Sequence, residues 1–374
     1  MEVRAPVVGE EKVVGVLKNN QQRLFAGHQS SASSAQGGFA LITALVIVSL
    51  VVALSIGIAA SHDRSLWLSE SRWHGNQALQ YVYGAEQMAI YALNEDYKDD
   101  DENQEMVDHN DEIWAQPTPF ELDEGWLEGN LTDAQSKLDI NRLAEKVQNA
   151  NNISYGATDP RRFTEAQRRF LRLLQSFEEQ YPVDPSQAVE ITEAIVDWID
   201  QDDQDFGFGG AESLYYQRQD PIVTPPNGPM ASVTELLLVR HMTPELYELI
   251  RPFLVALPGQ SKGLNVNTAD EHLLRVLNVD TDLQPLSAVD AESLVVERGA
   301  TGFLDMTEFM ESSMAMNLSS SGRGQFSQEG IVFNSEYFLL RSRIQVGRQR
   351  RTMNSLLYRE NGQAKIVRRS EFEL

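Results

Sequence analysis

The alternation of polar and apolar positions is broken once, near the start. Phe39 to Ala60 reads FALITALVIVSLVVALSIGIAA, 22 residues with no charge and only Thr43, Ser49 and Ser55 as mild polar groups. As a helix this run extends about 33 Å, enough to cross a hydrocarbon core of about 30 Å. Its Val/Ile content suits a strand in water, but a run this long predicts a membrane-spanning helix rather than a buried core helix. Helical patterning continues through Ser61–Leu93. Trp67 is placed for a membrane interface, and Trp73 and Tyr81 for packing on a helix face.

Further on, the periodicity changes twice. Short alternating stretches in Trp126–Ile140, with Gly125 and Gly129, predict strands. From Asn141 to about Met310 the spacing is helical. Phe163, Phe170, Leu171, Leu174 and Phe177 form an apolar stripe on Phe163–Gln180, and Ala188–Ile199, Thr234–Val239 and Pro244–Leu254 follow as further helices. Pro221–Pro229 is a loop. After the Ser/Gly stretch Ser319–Gly324, alternation returns in Ile331–Val346, Thr352–Arg359 and Ala364–Arg369. Strands, helices, then strands predict an α+β chain: a long N-terminal transmembrane helix and an antiparallel sheet split by a large inserted helical domain. The segments are 1–38, 39–93 (39–60 in the membrane), 94–143, 144–318 as the insertion and 319–374 as the closing strands.

Charge sharpens this picture. With 31 Lys+Arg against 55 Asp+Glu the chain carries −24 and disfavours a nucleic-acid partner. The charge is segregated. Residues 95–112 hold ten acids and one lysine, predicting a solvated, mobile loop, whereas Arg341–Arg369 holds nine basic residues against Glu360 alone. No cysteine is present, which removes disulfides, thiolate metal sites and cysteine nucleophiles; six scattered histidines argue against a transition-metal centre. Residues 1–38 are polar and only +1, leaning toward a cytoplasmic N-terminus. A secretory signal would have a shorter apolar core after a short basic stretch, so the pattern predicts an uncut anchor or a cut before the apolar run.

One loop has metal-binding chemistry. In Asp200–Glu212 the acids Asp200, Asp202, Asp203 and Asp205 recur along a turning backbone, and Glu212 is placed to close a site from the far side. Several carboxylate oxygens converging in this way suit calcium, although the spacing is not that of an EF-hand. The ligands expected are Asp200, Asp202, Asp205 and Glu212. The competing reading is a helix-terminating acidic loop.

The junction Gly37-Gly38-Phe39-Ala40-Leu41-Ile42 resembles the type IV prepilin cleavage site. The resemblance implies a prepilin peptidase cutting after Gly38 and methylating Phe39, so Gly38 and Phe39 are processing residues. Most members carry Glu at the fifth position of the mature chain; here it is Thr43, the pattern of the minor pseudopilin K subfamily of type II secretion. Asp111–Ala115, Gly129–Asp133, Leu138–Asn141, Asp197–Asp202, Gly210–Glu212, Arg251–Pro258 and Leu264–Ala269 are similar to that family's blocks, in family order. In that family Asp200, Asp202 and Glu212 match positions near calcium, and Asp203 and Asp205 are additional here. A membrane carboxylate with no partner is costly, about 2.5–3.5 kcal/mol on insertion scales, so Thr43 fits a subunit with nothing stacked above it.

The resemblance implies a pilin-like fold in the bacterial inner membrane with a periplasmic C-terminal domain. Minor pseudopilins I and J, and the major pseudopilin, are the expected partners at a pseudopilus tip. The alternatives are a minor pilin of a type IV pilus, which would lack the Asp200–Glu212 block, and a membrane-anchored periplasmic hydrolase. Paired acids such as Asp197/Asp200 could serve a hydrolase, but no motif supplies a third group. Gly263–Ala269, Leu273-Leu274 and Glu297–Phe303 also resemble a helix-hairpin-helix module. Its hairpin stretch Asn278–Leu286 carries Asp280 and Asp282 and lacks the glycines that phosphate binding needs.

Overall fold

The computed structural model describes residues 36–147, 155–259, 261–320, 322 and 324–372. Most of the expected leader, residues 1–35, lies outside them. Helix α1 runs Gln36–Asn103, so the Gly38–Phe39 junction falls in its first turn. Its part up to Trp67 belongs to a separate unit. There the large apolar side chains from Phe39 to Ile58 are exposed all along the helix. The three polar side chains add no unmet hydrogen-bonding group. Thr43 Oγ1 lies 3.0 Å from Phe39 O and Ala40 O, and Ser49 and Ser55 donate to Val46 O and Val51 O at 2.8 Å. Such back-bonding is what hydrocarbon solvent demands of a hydroxyl.

The second unit begins at Leu68. In it α1 turns Ala78, Val82, Ala85, Ala89 and Leu93 inward, spaced three and four apart on one face. Three alanines bring the helix close to a five-stranded antiparallel sheet of order β1-β2-β7-β8-β9. Its strands are β1 Thr118–Leu122, β2 Gly125–Asp133, β7 Tyr337–Val346, β8 Gln349–Glu360 and β9 Gln363–Ser370. Leu127, Leu131, Phe338, Leu340, Ile344 and Leu357 meet the helix, and Trp114 packs edge-on to Phe338 at 5.1 Å. The one buried acid on this helix face, Glu86, accepts from Ser355 Oγ and Arg369 Nε, both at 2.7 Å, and from Arg369 Nη2 at 2.8 Å.

The chain leaves this sheet after Asp133 and returns at Tyr337, where β2 and β7 pair with Asp133 opposite Phe338. The excursion holds helices α2 Glu165–Gln175, α3 Pro185–Ile199, α4 Ser213–Tyr216, α5 Pro244–Ile250, α6 Glu271–Leu274, α7 Ala288–Arg298, α8 Met306–Met310 and α9 Ser313–Ser320. Two short parallel pairs brace it: β3 Leu138–Asp139 with β4 Leu254–Val255, and β5 Leu264–Asn265 with β6 Ile331–Val332. The predicted stripe Phe163, Phe170, Leu171, Leu174 and Phe177 lies in its core, with Ile191, Ile195 and Trp198 of α3.

Four expectations are corrected. Helix α1 ends at Asn103 rather than Leu93, so the first half of the acidic run is helical. The second half is not a solvated loop throughout. Asp108 is fully buried and grips Arg359 of β8 with both oxygens, Nη2 lying 2.6 and 2.5 Å away; Arg359 Nη1 reaches Asp96 Oδ2 at 3.0 Å. Trp73 is 70% exposed. It lies five residues before Ala78, about 140° around the helix from the buried face. Thr234–Val239 forms a 3-10 turn, Val233–Leu238, rather than an α-helix.

One buried network joins sheet, acidic segment and insertion. Asp133, at the end of β2, accepts from Gln135 N, Asn265 Nδ2, Thr268 Oγ1 and Ser335 Oγ. Asn265 Nδ2 also reaches Asp108 O, while Ser335 N donates to Asp108 Oδ2 and Ser335 O accepts from Arg359. Arg359→Met should therefore leave Asp108 charged, buried and unpaired, costing about 3–5 kcal/mol. Urea denaturation followed by tryptophan fluorescence reads this as a lowered midpoint, partly restored when Asp108→Asn is added. An unchanged midpoint would show that the pair is not holding the junction.

Candidate metal centre

Helix α3 is built to end in trouble electrostatically. It starts well: Asp184 caps the amides of Ser186 and Gln187, and Pro185 opens the first turn. At its C-terminus, where backbone carbonyls already make the local field negative, the sequence places Asp197 and Asp200 three residues apart on one face. Both are buried, and the following loop returns Glu212, also buried, beside them. Within this trio one carboxylate oxygen from each residue lies within 4.8 Å of the others. Two ligands around one ion with bonds of about 2.4 Å can be no farther apart than this, so the three oxygens are close enough together to be candidates for sharing a hard cation.

The loop is held from below. Glu193, one turn before Asp197, accepts from Phe208 N at 3.0 Å and Gly209 N at 2.7 Å, and is itself held by Arg162 Nη2 at 2.6 Å. Asp197 Oδ1 takes Phe206 N at 2.9 Å. Gly210 is required by close approach: a Cβ there would lie 2.3 Å from Asp197 Oδ2 and 2.9 Å from the Phe206 backbone. Gly207 supplies a left-handed turn at φ +72° directly against the Glu193 carboxylate.

What the scaffold leaves is a set of buried oxygens without donors. Asp197 Oδ2, Asp200 Oδ1 and both oxygens of Glu212 have no hydrogen-bond partner among the described residues. Asp200 Oδ2 meets Lys146 Nζ at 2.6 Å. Burial, then the neighbouring Asp197 and Asp200, push Glu212 up to about 8. Burial raises Asp197 to about 7, with Asp200 adding to it. Orphaned, mutually repelling carboxylates are costly unless a cation joins them.

Of the four ligands expected from sequence, the structure gathers Asp200 and Glu212. It leaves Asp202 and Asp205 exposed on the loop; Asp202 turns to Lys146 at 3.1 Å and caps Gln204 N. The physical reason is that Asp202 and Asp205 lie past the helix end, where the chain curls outward before Phe206 is buried. Asp197 takes the place the exposed acids were expected to fill. Its i,i+3 spacing from Asp200 at a helix end was the available signal; sequence reasoning had considered the pair only for acid–base chemistry.

A second trio, Asp96, Asp108 and Glu112, also converges. It already contains a cation, the Arg359 guanidinium, and Glu112 receives the Trp114 indole N–H and His109 N. Burial, with Asp96 and Asp108 adding to it, raises Glu112 to about 9. The stretch resembling a helix-hairpin-helix forms α6, a turn and α7. Its Asp282 caps Gln284 N within the turn, and its Asp280 accepts from Gln325 N, tying the turn to the segment before β6.

A long apolar helix continuing into a helix-on-sheet domain, with a helical insertion between adjacent strands, defines a membrane-anchored protein of the pilin-like class. One helix is long and apolar enough to span a membrane, which makes the anchor single-pass among the described residues. Residues 136–259, which include the trio, match the family described as type II secretion system protein K. The chain is 28% identical to type II secretion system protein K of Pseudomonas aeruginosa, covering 89% of this chain and 92% of that one. It is 28% identical to the protein of the same name from Aeromonas hydrophila, over 87% and 93%. A chain in the crystal structure of the GspK-GspI-GspJ complex from enterotoxigenic Escherichia coli superposes with a TM-score of 0.66 at 26% identity, covering 81% of this chain and 98% of that one. Over most of its length the chain is thus similar to type II secretion system protein K, and the relatives it matches are named as components of that secretion system.

Proposed function

We propose that the chain caps or initiates the tip of the type II pseudopilus. It does so anchored in the bacterial inner membrane with the residues after the span in the periplasm. The observation that carries this reading is the insertion. Residues 134–336 form a body larger than the sheet it interrupts, on a subunit whose helix otherwise has the form used for stacking. A subunit built this way packs its helix below and obstructs another subunit above. Thr43, self-bonded in the helix, removes the carboxylate that would seek a neighbour's amine above it. The complex to which this fold is similar contains I and J, and the corresponding minor pseudopilins are its expected partners, with the major pseudopilin below. A type IV minor pilin accounts for the helix but not for the protein K match over 136–259.

Tip placement has a direct test. In assembled pseudopili, gold particles directed at an epitope on the insertion should sit at one end only; labelling along the shaft would refute the reading. Processing is tested separately. Protein recovered from membranes should begin at Phe39 with a methylated amine, by intact mass and N-terminal sequencing, and a chain retaining Gly37-Gly38 would remove prepilin peptidase as its processing enzyme.

Calcium is the ion proposed for Asp197, Asp200 and Glu212, because the donors are all hard oxygens and no histidine or cysteine approaches them among the described residues. The pH dependence follows from the raised carboxyls. Without cation, ionising Glu212 and Asp197 in the fold is penalised, so their contribution to stability falls as pH rises through about 7 to 8. With calcium the ionised forms are the bound forms. The rise in melting temperature on adding calcium should therefore be larger at pH 8.5 than at pH 6. An equal rise at both, or none, would count against this site.

A further inference from the structure

Lys146 approaches the trio from outside the acidic loop. It follows the 3-10 turn Ile140–Ala144, well before α3 in sequence, and passes beside the Phe206 ring with Nζ 5.7 Å from its centre. Its ammonium lies 2.6 Å from Asp200 Oδ2 and 3.1 Å from Asp202 Oδ2, and its side chain is 27% exposed. It thus bridges Asp200, which caps α3, to Asp202, one of three acids of the loop that face solvent. Among the described residues only Asp200 of the trio meets Lys146, and Asp197 Oδ2 and both oxygens of Glu212 have no hydrogen-bond donor.

We propose that Lys146 competes with the divalent cation for Asp200 and thereby sets the concentration at which the site loads. This rests on the calcium reading above. A cation bound at 2.3–2.6 Å from Asp200 lies within a few ångströms of the ammonium, and two positive centres that close repel strongly. Lysine suits the role because its charge sits on a flexible, partly exposed stem that swings to Asp202 and solvent without leaving a buried charge behind. Loading is then an exchange of one tethered ammonium for a divalent ion. Asp202, which does not join the trio, acts as the resting place for the displaced lysine.

The test uses the full chain in detergent and calcium chloride as the only ligand. Calorimetric titration should show Lys146→Met binding calcium more tightly, on the order of tenfold or more even at the dielectric of bulk water. In the wild-type chain at constant pH, an amine-acylating reagent should modify Lys146 faster once calcium is saturating, read by peptide mass spectrometry. Asp197→Asn should lose binding, which reports on the calcium site itself. If wild type binds calcium but Lys146→Met binds equally or more weakly, or if Lys146 labelling does not change, the exchange is wrong while the calcium site stands. If neither wild type nor Lys146→Met binds calcium, the site reading fails and this inference with it. Should Lys146→Met misfold, by circular dichroism, the wild-type labelling result decides alone.

Discussion

The structure depends on satisfying polar groups where a helical body is let into a sheet. Splitting a sheet between β2 and β7 brings Asp133, Asn265, Ser335 and Asp108 together in the interior, away from water. Each has to find partners across chain segments more than a hundred residues apart, since a buried group left unpaired costs about 1–3 kcal/mol. Asp133 accepts four bonds, Asn265 donates to three acceptors, and Arg359 closes the set against Asp108. Such a network ties the insertion to the sheet, because moving either would strand several of these buried groups at once. Asp139 and Asn141 repeat the device at β3. Asp139 accepts from Leu257 N and Ser261 Oγ, and Asn141 exchanges bonds with the Met230 backbone while donating to Leu257 O.

This explains which parts of the fold were legible. The blocks Gly129–Asp133, Leu138–Asn141 and Leu264–Ala269 carried the family resemblance, and they are the residues that tie the insertion in. Patterning exposed α1, the α2–α3 core and the three C-terminal strands, because in each a buried face repeats at the period of its own backbone. It could not place α1's end. The acids from Glu95 to Glu102 read as solvated loop, yet a helix accepts them when its neighbour supplies Arg359 from β8, more than 250 residues away in sequence. Nor could it foresee the parallel pairs β3–β4 and β5–β6, two residues each, which have no periodicity to detect.

The metal-centre residues show the same limit at finer scale. Alternation of acids along Asp200–Asp205 suggested that the loop itself would wrap a cation. Burial divides those acids: Phe206 and the Gly209–Gly210 pair are drawn down onto α3, carrying Glu212 inward and leaving Asp202 and Asp205 exposed. The choice between Asp197 and the loop acids turned on where the helix stops. Lys146 was beyond reach of sequence reasoning, because its approach is set by the tertiary position of the turn at Ile140–Ala144.

The two clusters of converging acids among the described residues differ in how their cation is held. In the first, Arg359 contacts Asp108 through both carboxylate oxygens and Asp96 besides, and its side chain is 5% exposed. A planar guanidinium bonded that fully cannot rotate away without stranding two acids, so this cation is a permanent part of the fold. In the second, Lys146 makes point contacts to Asp200 and Asp202, one of them at the surface, and leaves the oxygens of Asp197 and Glu212 unmet. That cluster has more negative charge than its internal cation balances, and Lys146 holds it from a stem that is 27% exposed. The guanidinium thus belongs to the place where the insertion joins the sheet, whereas the cluster on α3 keeps carboxylate oxygens without a donor among the described residues.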